Sequence, residues 1–259
     1  MMAPRVQNVR KPSTPHVVIG IIFLLFLFRV YQSSSRQPHS QLPGTYQYFR
    51  EEGFSSNSRR IGSGNKYDAR YAPKSSQSIE DTQESLQGLL ETYIDFMHSA
   101  SLETWIAHGA LIGYSWNQQL LPWDTDLDAQ VSIDTMRIMA QAFNMTEHNY
   151  TTTDVGRGYL LDVNPHFSIL STLDVANVIS ARWIDTTSGK YVDITAVFQD
   201  PEDDTKLLCK DHHRYQKDAF FPLQDGLLAG IRVRLPGRYR DIVKEEYGSS
   251  ALRKTNFHW

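Results

Sequence analysis

A run of alternating aspartates after a glycine-containing turn is the feature that most constrains how this chain can fold. Asp124, Asp126 and Asp128 recur at every second position. A strand over 126–131 places Asp126 and Asp128 on one face, because side chains alternate along a strand. Carboxylates packed this densely among apolar residues are costly to bury without a cation. The pattern therefore predicts a metal-dependent site that handles phosphate groups.

The segment before the aspartates supplies a candidate phosphate-binding turn. His108 and Gly109 follow a short apolar strand over 104–107 and lead into a short helix over 110–116, which contains Gly113. Glycine lets backbone N–H groups approach a phosphate closely at the start of a helix. We therefore expect His108, Gly109 and Gly113 to contact the ligand, with a structural role in the turn as the alternative for His108.

A later strand supplies a further acid. Segments 181–185 and 190–197 predict a β-hairpin closed by a four-residue loop that ends in glycine. In its second strand, Asp193 lies opposite an apolar face. A third carboxylate on a neighbouring strand would complete a set of hard oxygen ligands, which suits Mg²⁺ or Mn²⁺. We expect Asp126 and Asp128 to bind the metal, with Asp124 as a third ligand or a supporting loop acid.

Two other kinds of metal site fit the sequence less well. An EF-hand loop is excluded because Ala129 and Thr135 stand where that loop needs glycine and an acid. Cys209, His212 and His213 suggest zinc, but they are only three nearby ligands and no second cysteine accompanies them. Cys209 is the only cysteine, so no intrachain disulfide can form, and a buried thiol is favoured over an intermolecular bond.

Composition indicates one folded domain of moderate size with appendages. The chain has 259 residues, of which 41% are hydrophobic and 12% aromatic, and its formal net charge is -3. This balance argues against a nucleic-acid partner, which a strongly basic face would favour. Four basic residues are either phosphate clamps or ordinary paired surface residues: Arg157, Arg182, Lys190 and Arg214.

The N-terminal region predicts membrane attachment. Residues 1–16 are basic, and an uncharged run over 17–28 precedes Arg29. We predict a cytoplasmic tail over 1–16 and a type II signal anchor over 17–31; a cleaved signal peptide is the alternative. Residues 32–77 have the composition of a flexible luminal stem, and the alternative is that Tyr46, Tyr48, Phe49 and Phe54 dock part of it on the domain. Residues 78–259 form the predicted domain, in which the sequons at Asn144 and Asn149 agree with a luminal location.

Periodicity within the domain predicts helices and strands in alternation. Ser78 begins a capping box, and apolar residues then recur on one helical face up to about Ser99. Further helices are predicted after the aspartate strand and over 239–247, where Gly248 ends the last one. Together with strands over 159–163 and 230–236, this gives an α+β fold. A strand, glycine turn, short helix and aspartate strand, with an acid in a later strand, are typical of a nucleotidyltransferase-like mixed sheet flanked by helices.

Several motifs resemble one family. Segments 108–113 and 121–128 resemble the signature of the LicD/fukutin family. The chain is also similar to the family's fungal mannosylphosphorylation subgroup, which is mannosylphosphate transferase-like. This similarity covers about Ile79 to Gly248. Seven segments carry it: Trp105–Gly109, Trp116–Asp126, Arg182–Asp185, Tyr191–Thr195, Cys209–His213, Phe221–Leu223 and Glu245–Gly248. One departure is Ala110, which stands where Thr or Ser is common, so that a hydroxyl available to a phosphate is missing.

The resemblance implies a Golgi glycan-modifying enzyme. It implies a single-pass type II membrane protein whose luminal domain transfers a phospho-sugar, mannose phosphate from GDP-mannose, to an N- or O-linked mannan-type glycan. Asp124, Asp126 and Asp128 match the family's metal-binding acids, and Asp193 matches its later-strand acid, as a ligand or as the base that takes the acceptor proton. Two alternatives stay open: another nucleotide-linked donor, or a non-catalytic accessory to a partner transferase.

Overall fold

The aspartate strand and the later acid-bearing strand lie next to each other in one mixed sheet. The computed structural model describes residues 47–54, 65–152, 155–170 and 174–253. The predicted cytoplasmic tail and signal anchor lie outside these residues. Within the described ranges, no helix has both the length and the apolar character needed to cross a membrane.

Twelve strands are present in the described residues, and eight of them form the main sheet. The strands in chain order are β1 (Glu51–Phe54), β2 (Asn65–Asp68), β3 (Trp105–Ile106), β4 (Leu127–Ser132), β5 (Thr146–Thr152), β6 (Val155–Val163), β7 (Ala181–Asp185), β8 (Tyr191–Gln199), β9 (Lys206–Leu208), β10 (Arg214–Gln216), β11 (Gln224–Leu228) and β12 (Ile231–Leu235). The main sheet has the order β10-β9-β8-β7-β6-β5, with β4 paired to β8 and β3 paired to β4. Only the β4–β8 pair among the described strands is parallel.

Five α-helices accompany the described strands: α1 (Ile79–Ser99), α2 (His108–Asn117), α3 (Ile133–Ala142), α4 (Lys217–Phe220) and α5 (Tyr239–Tyr247). Val175–Asn177 forms a single 3-10 turn. The side chain of Ser78 caps α1 by accepting a hydrogen bond from the Asp81 N–H. The mixed sheet with its helices confirms the predicted α+β class.

The core is the layer between α1 and the sheet. Leu86, Leu89 and Phe96 are buried on the sheet-facing side of α1. The ring of Phe96 stacks on Trp183 of β7, with centroids 4.9 Å apart, and Trp183 stacks in turn on Tyr159 of β6. Burial of these large apolar surfaces from α1 and the central strands fixes the position of β8, which carries Asp193.

Two strands lie in the range that the sequence analysis assigned to the stem. β1 and β2 pair antiparallel and attach to the domain, where Phe49 is buried and Tyr48 Oη donates a 2.9 Å hydrogen bond to Asp162. The described part of residues 32–77 therefore belongs with the domain rather than with a separate stem. Tyr48 and Phe49 are among the aromatic residues that the sequence offered for docking as the alternative to a flexible stem, and their contacts agree with that alternative.

The polar segment after α3 is also more ordered than its composition suggests. Residues 146–152 form β5, which pairs antiparallel with β6 at one end of the main sheet's strand order. Asn149 of the second sequon lies within this strand and is exposed. An edge strand with a solvated face can carry many polar residues, so its alternation of apolar and polar residues is weak.

Candidate active site

Asp128 and Asp193 occupy paired positions on neighbouring strands. β4 and β8 are parallel, and their register places the Cα of Asp128 beside the Cα of Asp193. Paired residues on adjacent strands project to the same face of the sheet. Asp193 is buried, with 7% of its surface exposed. The structure therefore brings together two of the acids that the sequence analysis singled out.

The other two aspartates lie on the segment that leads into β4. The Asp126 carboxylate is 3.6 Å from the Nζ of Lys66 on β2. The Asp124 carboxylate lies against the first turn of α2, where a Cβ atom added to Gly109 would be 3.3 Å from Asp124 Oδ2. Gly109 is thus the position that lets this acid approach the start of α2.

Burial and mutual repulsion raise the pKa values of the clustered acids. Burial raises the pKa of Asp124 to about 7, with a further contribution from the charge on Asp126. Burial likewise raises the pKa of Asp193 to about 6, although the charge and hydrogen bond of Arg182 oppose this. The pKa of Asp128 is also raised by burial, against the opposing charge of His108. The basic groups nearby therefore do not fully compensate the buried carboxylates.

Arg182 holds Asp193 in place. Its Nε donates a 2.7 Å hydrogen bond to Asp193 Oδ1, and its Nη2 donates a 2.7 Å hydrogen bond to Glu51 of β1. The guanidinium also lies over the ring of Tyr191, 3.7 Å from the centroid, and over the ring of Phe49. With 1% of its surface exposed, Arg182 is committed to these contacts and fixes the orientation of the Asp193 carboxylate.

Lys190 holds the aspartate segment through backbone hydrogen bonds. Its buried Nζ donates 3.0 Å hydrogen bonds to the backbone carbonyls of Thr125 and Lys66, and it lies 4.2 Å from the ring centroid of Tyr67. Thr125 lies between Asp124 and Asp126, so Lys190 joins the aspartate segment to β2. Burial lowers the pKa of Lys190 to about 8.

The structure gives the two predicted turn glycines different surroundings. Gly109 faces Asp124, as described above. A Cβ added to Gly113 would be only 2.4 Å from the carbonyl oxygen of Gln119. Gly113 is therefore required by the close approach of the loop that follows α2, and this packing accounts for it without a ligand.

His108 links the aspartates to a second group of polar residues. Its backbone has φ of 45°, a conformation that costs free energy in a non-glycine residue. Its Nδ1 is 3.0 Å from Glu246 Oε2 on α5, and its Nε2 is 3.4 Å from Asp211. Burial lowers the pKa of His108, but the hydrogen bond with Glu246 and the charges on Asp128, Glu246 and Asp211 outweigh burial and raise it to about 9.

The four predicted aspartates do not form a three-ligand cluster. Among the described residues, the groups of three or more potential ligand atoms within 4.8 Å of one another are His108 with His213 and Glu246, and Cys209 with Asp211 and His213. Magnesium keeps several waters and shares its shell with phosphates, so one or two protein carboxylates per ion are sufficient.

All four predicted phosphate clamps have partners within the protein. Arg182 and Lys190 are described above. Arg157 forms ion pairs with Glu84 and Asp185, and Arg214 with Asp200. The alternative, that they are ordinary paired residues, agrees with these contacts, but Arg182 and Lys190 are buried rather than at the surface. Cys209 is a buried free thiol, as predicted.

Two residues near the site escaped the sequence analysis. Lys66 lies in the range assigned to the stem, and its local sequence carries no sign of a site. Glu246 lies in a motif that contributed to the family resemblance, but nothing in the sequence placed it beside His108, which is 138 residues away. Tertiary contacts alone reveal both.

Comparison with known proteins identifies the domain. Residues 101–238, more than half of the chain, match the LicD/FKTN/FKRP nucleotidyltransferase domain. Mannosyltransferase regulator 4 of Saccharomyces cerevisiae is 32% identical over 122 residues, which are 46% of this chain and 10% of that protein. Mannosyltransferase regulator 14 of the same yeast is 31% identical over 137 residues, which are 52% of this chain and 15% of that protein. These relatives are consistent with the fungal mannosylphosphorylation subgroup, and the family match shows that the chain belongs to the LicD/FKTN/FKRP nucleotidyltransferase-domain family.

Proposed function

We propose that this protein transfers a phospho-sugar, mannose phosphate from GDP-mannose, to a mannan-type glycan in a metal-dependent reaction. The observation that carries the proposal is the pairing of Asp128 with Asp193 on parallel strands, beside Asp124 and Asp126. Family membership and the relatives support glycan modification or its regulation. The donor, the acceptor and the reaction are our inference.

The residues present fit a divalent cation. The pKa values of Asp124, Asp128 and Asp193 are raised because these acids are partly or fully buried with too little positive charge around them, and hard oxygen ligands suit Mg²⁺ or Mn²⁺. Asp126 and Asp128 would hold the ion, with Asp124 as a third ligand or a support. When bound, the ion would neutralise charge on the donor pyrophosphate.

The proposed reaction is a displacement at phosphorus. An acceptor hydroxyl oxygen forms a bond to the phosphorus that carries the sugar, the pyrophosphate P–O bond breaks, and GMP leaves with the electron pair. Asp193 accepts the hydroxyl proton, unless it serves as a further metal ligand. A pKa of about 6 keeps most of this carboxylate ionised at neutral pH, which a general base requires. Arg182 holds the carboxylate in one orientation.

A second candidate is a non-catalytic regulator of another transferase. The names of both yeast relatives favour it, and so does Ala110, where the family commonly has a hydroxyl. The matched regions cover only 10% and 15% of those relatives, so their roles come to this chain as a hypothesis. A related enzymatic candidate keeps the same chemistry with another donor, such as a cytidine-diphosphate-linked alcohol.

The proposed setting is the Golgi lumen. An anchor over residues 17–31 would hold the protein in the membrane, with the domain on the luminal side, where nucleotide sugars and glycan acceptors meet. A partner transferase in the same membrane is the contact that the regulator candidate requires.

The experiment is a donor screen with the purified full-length chain. The protein is incubated with Mn²⁺, a mannan-type oligosaccharide and a panel of nucleotide-linked donors, and products are read by mass. A phosphorylated glycan formed with GDP-mannose, lost in the Asp126→Asn/Asp128→Asn double variant and kept in Asp204→Asn, supports the proposal. Asp204 is an exposed aspartate in the loop between β8 and β9.

A cellular arm separates the two candidates. If no donor gives product, or if cells carrying the double variant phosphorylate their glycans fully, the chain is not the transferase. The regulator candidate is then favoured when deletion of the whole chain still lowers glycan phosphorylation.

A further inference from the structure

A second group of candidate metal ligands lies beside the aspartates. One ligand atom each from His108, His213 and Glu246 lies within 4.8 Å of the others. The three residues come from distant parts of the sequence: the start of α2, the loop between β9 and β10, and the last turn of α5. The fold therefore assembles this set, as it assembles the aspartates.

Both imidazoles approach the Glu246 carboxylate, each at a different oxygen. His108 Nδ1 is 3.0 Å from Glu246 Oε2, and His213 Nδ1 is 3.4 Å from Glu246 Oε1. Nitrogen and oxygen ligands bound about 2.0–2.1 Å from Zn²⁺ at tetrahedral angles are roughly 3.3 Å apart, so each imidazole lies about one ligand–ligand separation from the carboxylate. Two imidazoles and one carboxylate are also a ligand set that Zn²⁺ accepts with a fourth position open.

Neighbouring groups are placed to orient these ligands. Asp211 Oδ2 is 3.4 Å from His108 Nε2, and Tyr215 Oη donates a 2.7 Å hydrogen bond to Glu246 Oε1. A metal-bound histidine usually gives its other N–H to a carboxylate, which fixes its ring. The side chains of Glu246 and His108 are 3% and 13% exposed, whereas that of His213 is 36% exposed, so the group is buried on the Glu246 side and open to solvent at His213.

We propose that His108, His213 and Glu246 bind one Zn²⁺ ion, with Asp211 orienting His108. This site differs from the zinc set considered from sequence, because His212 is exposed and stands outside the group. The bound ion ties the end of α5 to the start of α2, next to Gly109 and Asp124. It thereby anchors the C-terminal helix to the wall of the proposed active site.

A competing ligand set shares one member with this site. Cys209, Asp211 and His213 also lie within 4.8 Å of one another, and the Cys209 thiol is 2.6 Å from Asp211 Oδ1. A zinc ion held there would depend on Cys209 and not on Glu246. The two sets are therefore distinguished by substituting Cys209 and Glu246 separately.

The test is zinc binding by the purified full-length chain after removal of metal with a chelator. Zn²⁺ is titrated against a chromophoric competitor, and Co²⁺ is added separately to record the absorption of a tetrahedral site. We expect one Zn²⁺ per chain, and a loss of affinity of at least about tenfold in both His213→Asn and Glu246→Gln. His212→Asn is the matched control and should bind as the wild type does.

Further variants separate this site from the aspartates and from the competing set. Cys209→Ser and the Asp126→Asn/Asp128→Asn double variant should keep the zinc affinity. The proposal is overturned if the wild type shows no saturable binding, if Glu246→Gln binds normally, or if the aspartate double variant loses the ion. Thermal melting is recorded for each variant, and Glu246→Gln, which keeps the side-chain shape, carries the test if His213→Asn does not fold.

Discussion

Asp128 of β4 stands beside Asp193 of β8 in the one parallel strand pair of the described sheet. This arrangement joins an acid from the aspartate run to an acid that the chain supplies much later. Asp193 is held by the buried Arg182, whereas the charge of His108 only partly opposes the effect of burial on the pKa of Asp128. The two acids thus have unlike surroundings, which favours different roles for them in the proposed reaction.

Mn²⁺ should stabilise the protein more at pH 8 than at pH 5.5. The pKa values of Asp124 and Asp193 in the folded state, about 7 and about 6, lie above the value of about 3.9 for a free aspartate. Their contribution to stability is full below the unfolded value and is lost as the pH rises through 6 to 7. At pH 8 these carboxylates are ionised and a cation can bind them, whereas at pH 5.5 the cation must compete with protons for the same oxygens.

The measurement is the melting temperature with and without Mn²⁺ at both pH values. At a free Mn²⁺ concentration of about one hundred times the dissociation constant, binding raises the free energy of unfolding by roughly 2.7 kcal/mol. This corresponds to a rise in melting temperature of about 5–10 °C for a domain of this size. The Asp126→Asn/Asp128→Asn double variant should show little rise. An equal rise at both pH values would contradict the prediction.

Replacing Lys66 with methionine should tighten Mn²⁺ binding. The Lys66 ammonium lies 3.6 Å from Asp126, and the charge on Asp126 is the main cause of the raised pKa of Lys66. Removing this competing cation should increase affinity by about two- to fivefold, the range expected for a partly exposed pair. Isothermal titration calorimetry measures the Mn²⁺ affinity of each variant. Lys74→Met, which replaces an exposed lysine, is the control. Weaker binding in Lys66→Met would contradict the prediction and show that Lys66 supports the site.

Replacing Ala110 with serine should increase turnover if the chain is an enzyme. Ala110 is buried in the first turn of α2, next to Gly109, and serine restores a hydroxyl to the turn proposed to face a phosphate. The cost in stability should be about 1–3 kcal/mol unless the hydroxyl finds a partner. Initial rates with GDP-mannose are compared for the wild type, Ala110→Ser and Ala110→Gly, and an equal rate in the serine and glycine variants would show that the hydroxyl has no role.

Replacing Ser78 with alanine should destabilise the domain by about 1 kcal/mol. Ser78 caps α1, and α1 packs against the central strands through Leu86, Leu89 and Phe96. Chemical denaturation monitored by circular dichroism measures the change. Ser75→Ala, an exposed serine before the helix, should leave the unfolding free energy unchanged; equal losses in both variants would exclude the cap as the cause.

A glycan at Asn149 would test the predicted luminal location. Asn149 is exposed in β5 at the end of the sheet's strand order, where a glycan meets no packed surface. The full-length chain expressed in yeast should shift on a gel after endoglycosidase treatment, and Asn149→Gln should shorten the shift. Asn117→Gln, an exposed asparagine outside any sequon, is the control, and the absence of any shift in the wild type would contradict a luminal domain.

The aspartate run shows how much of the site could be predicted. Alternation along a strand placed Asp126 and Asp128 on one face, and the hairpin prediction placed Asp193 on a strand, as β7 and β8 confirm. The pairing of β4 with β8 could not be read from spacing, because strand order in a mixed sheet is decided by packing across the whole domain. The expectation that the acids meet came from the need for a further oxygen ligand, and the family resemblance agreed with it.

The long first helix, the aspartate strand, the hairpin of β7 and β8 and the family were predictable from the sequence, whereas β1, β2 and β5 were not. Periodic apolar residues, the helix cap at Ser78 and the helix end at Gly248 each depend on residues a few positions apart, so the helices they define can be predicted from the sequence. The positions of Lys66 beside Asp126 and of Glu246 beside His108 follow from the folded structure. These contacts join residues far apart in the chain, and they form because burying apolar residues of α1, β2 and α5 in the domain brings the neighbouring polar residues together.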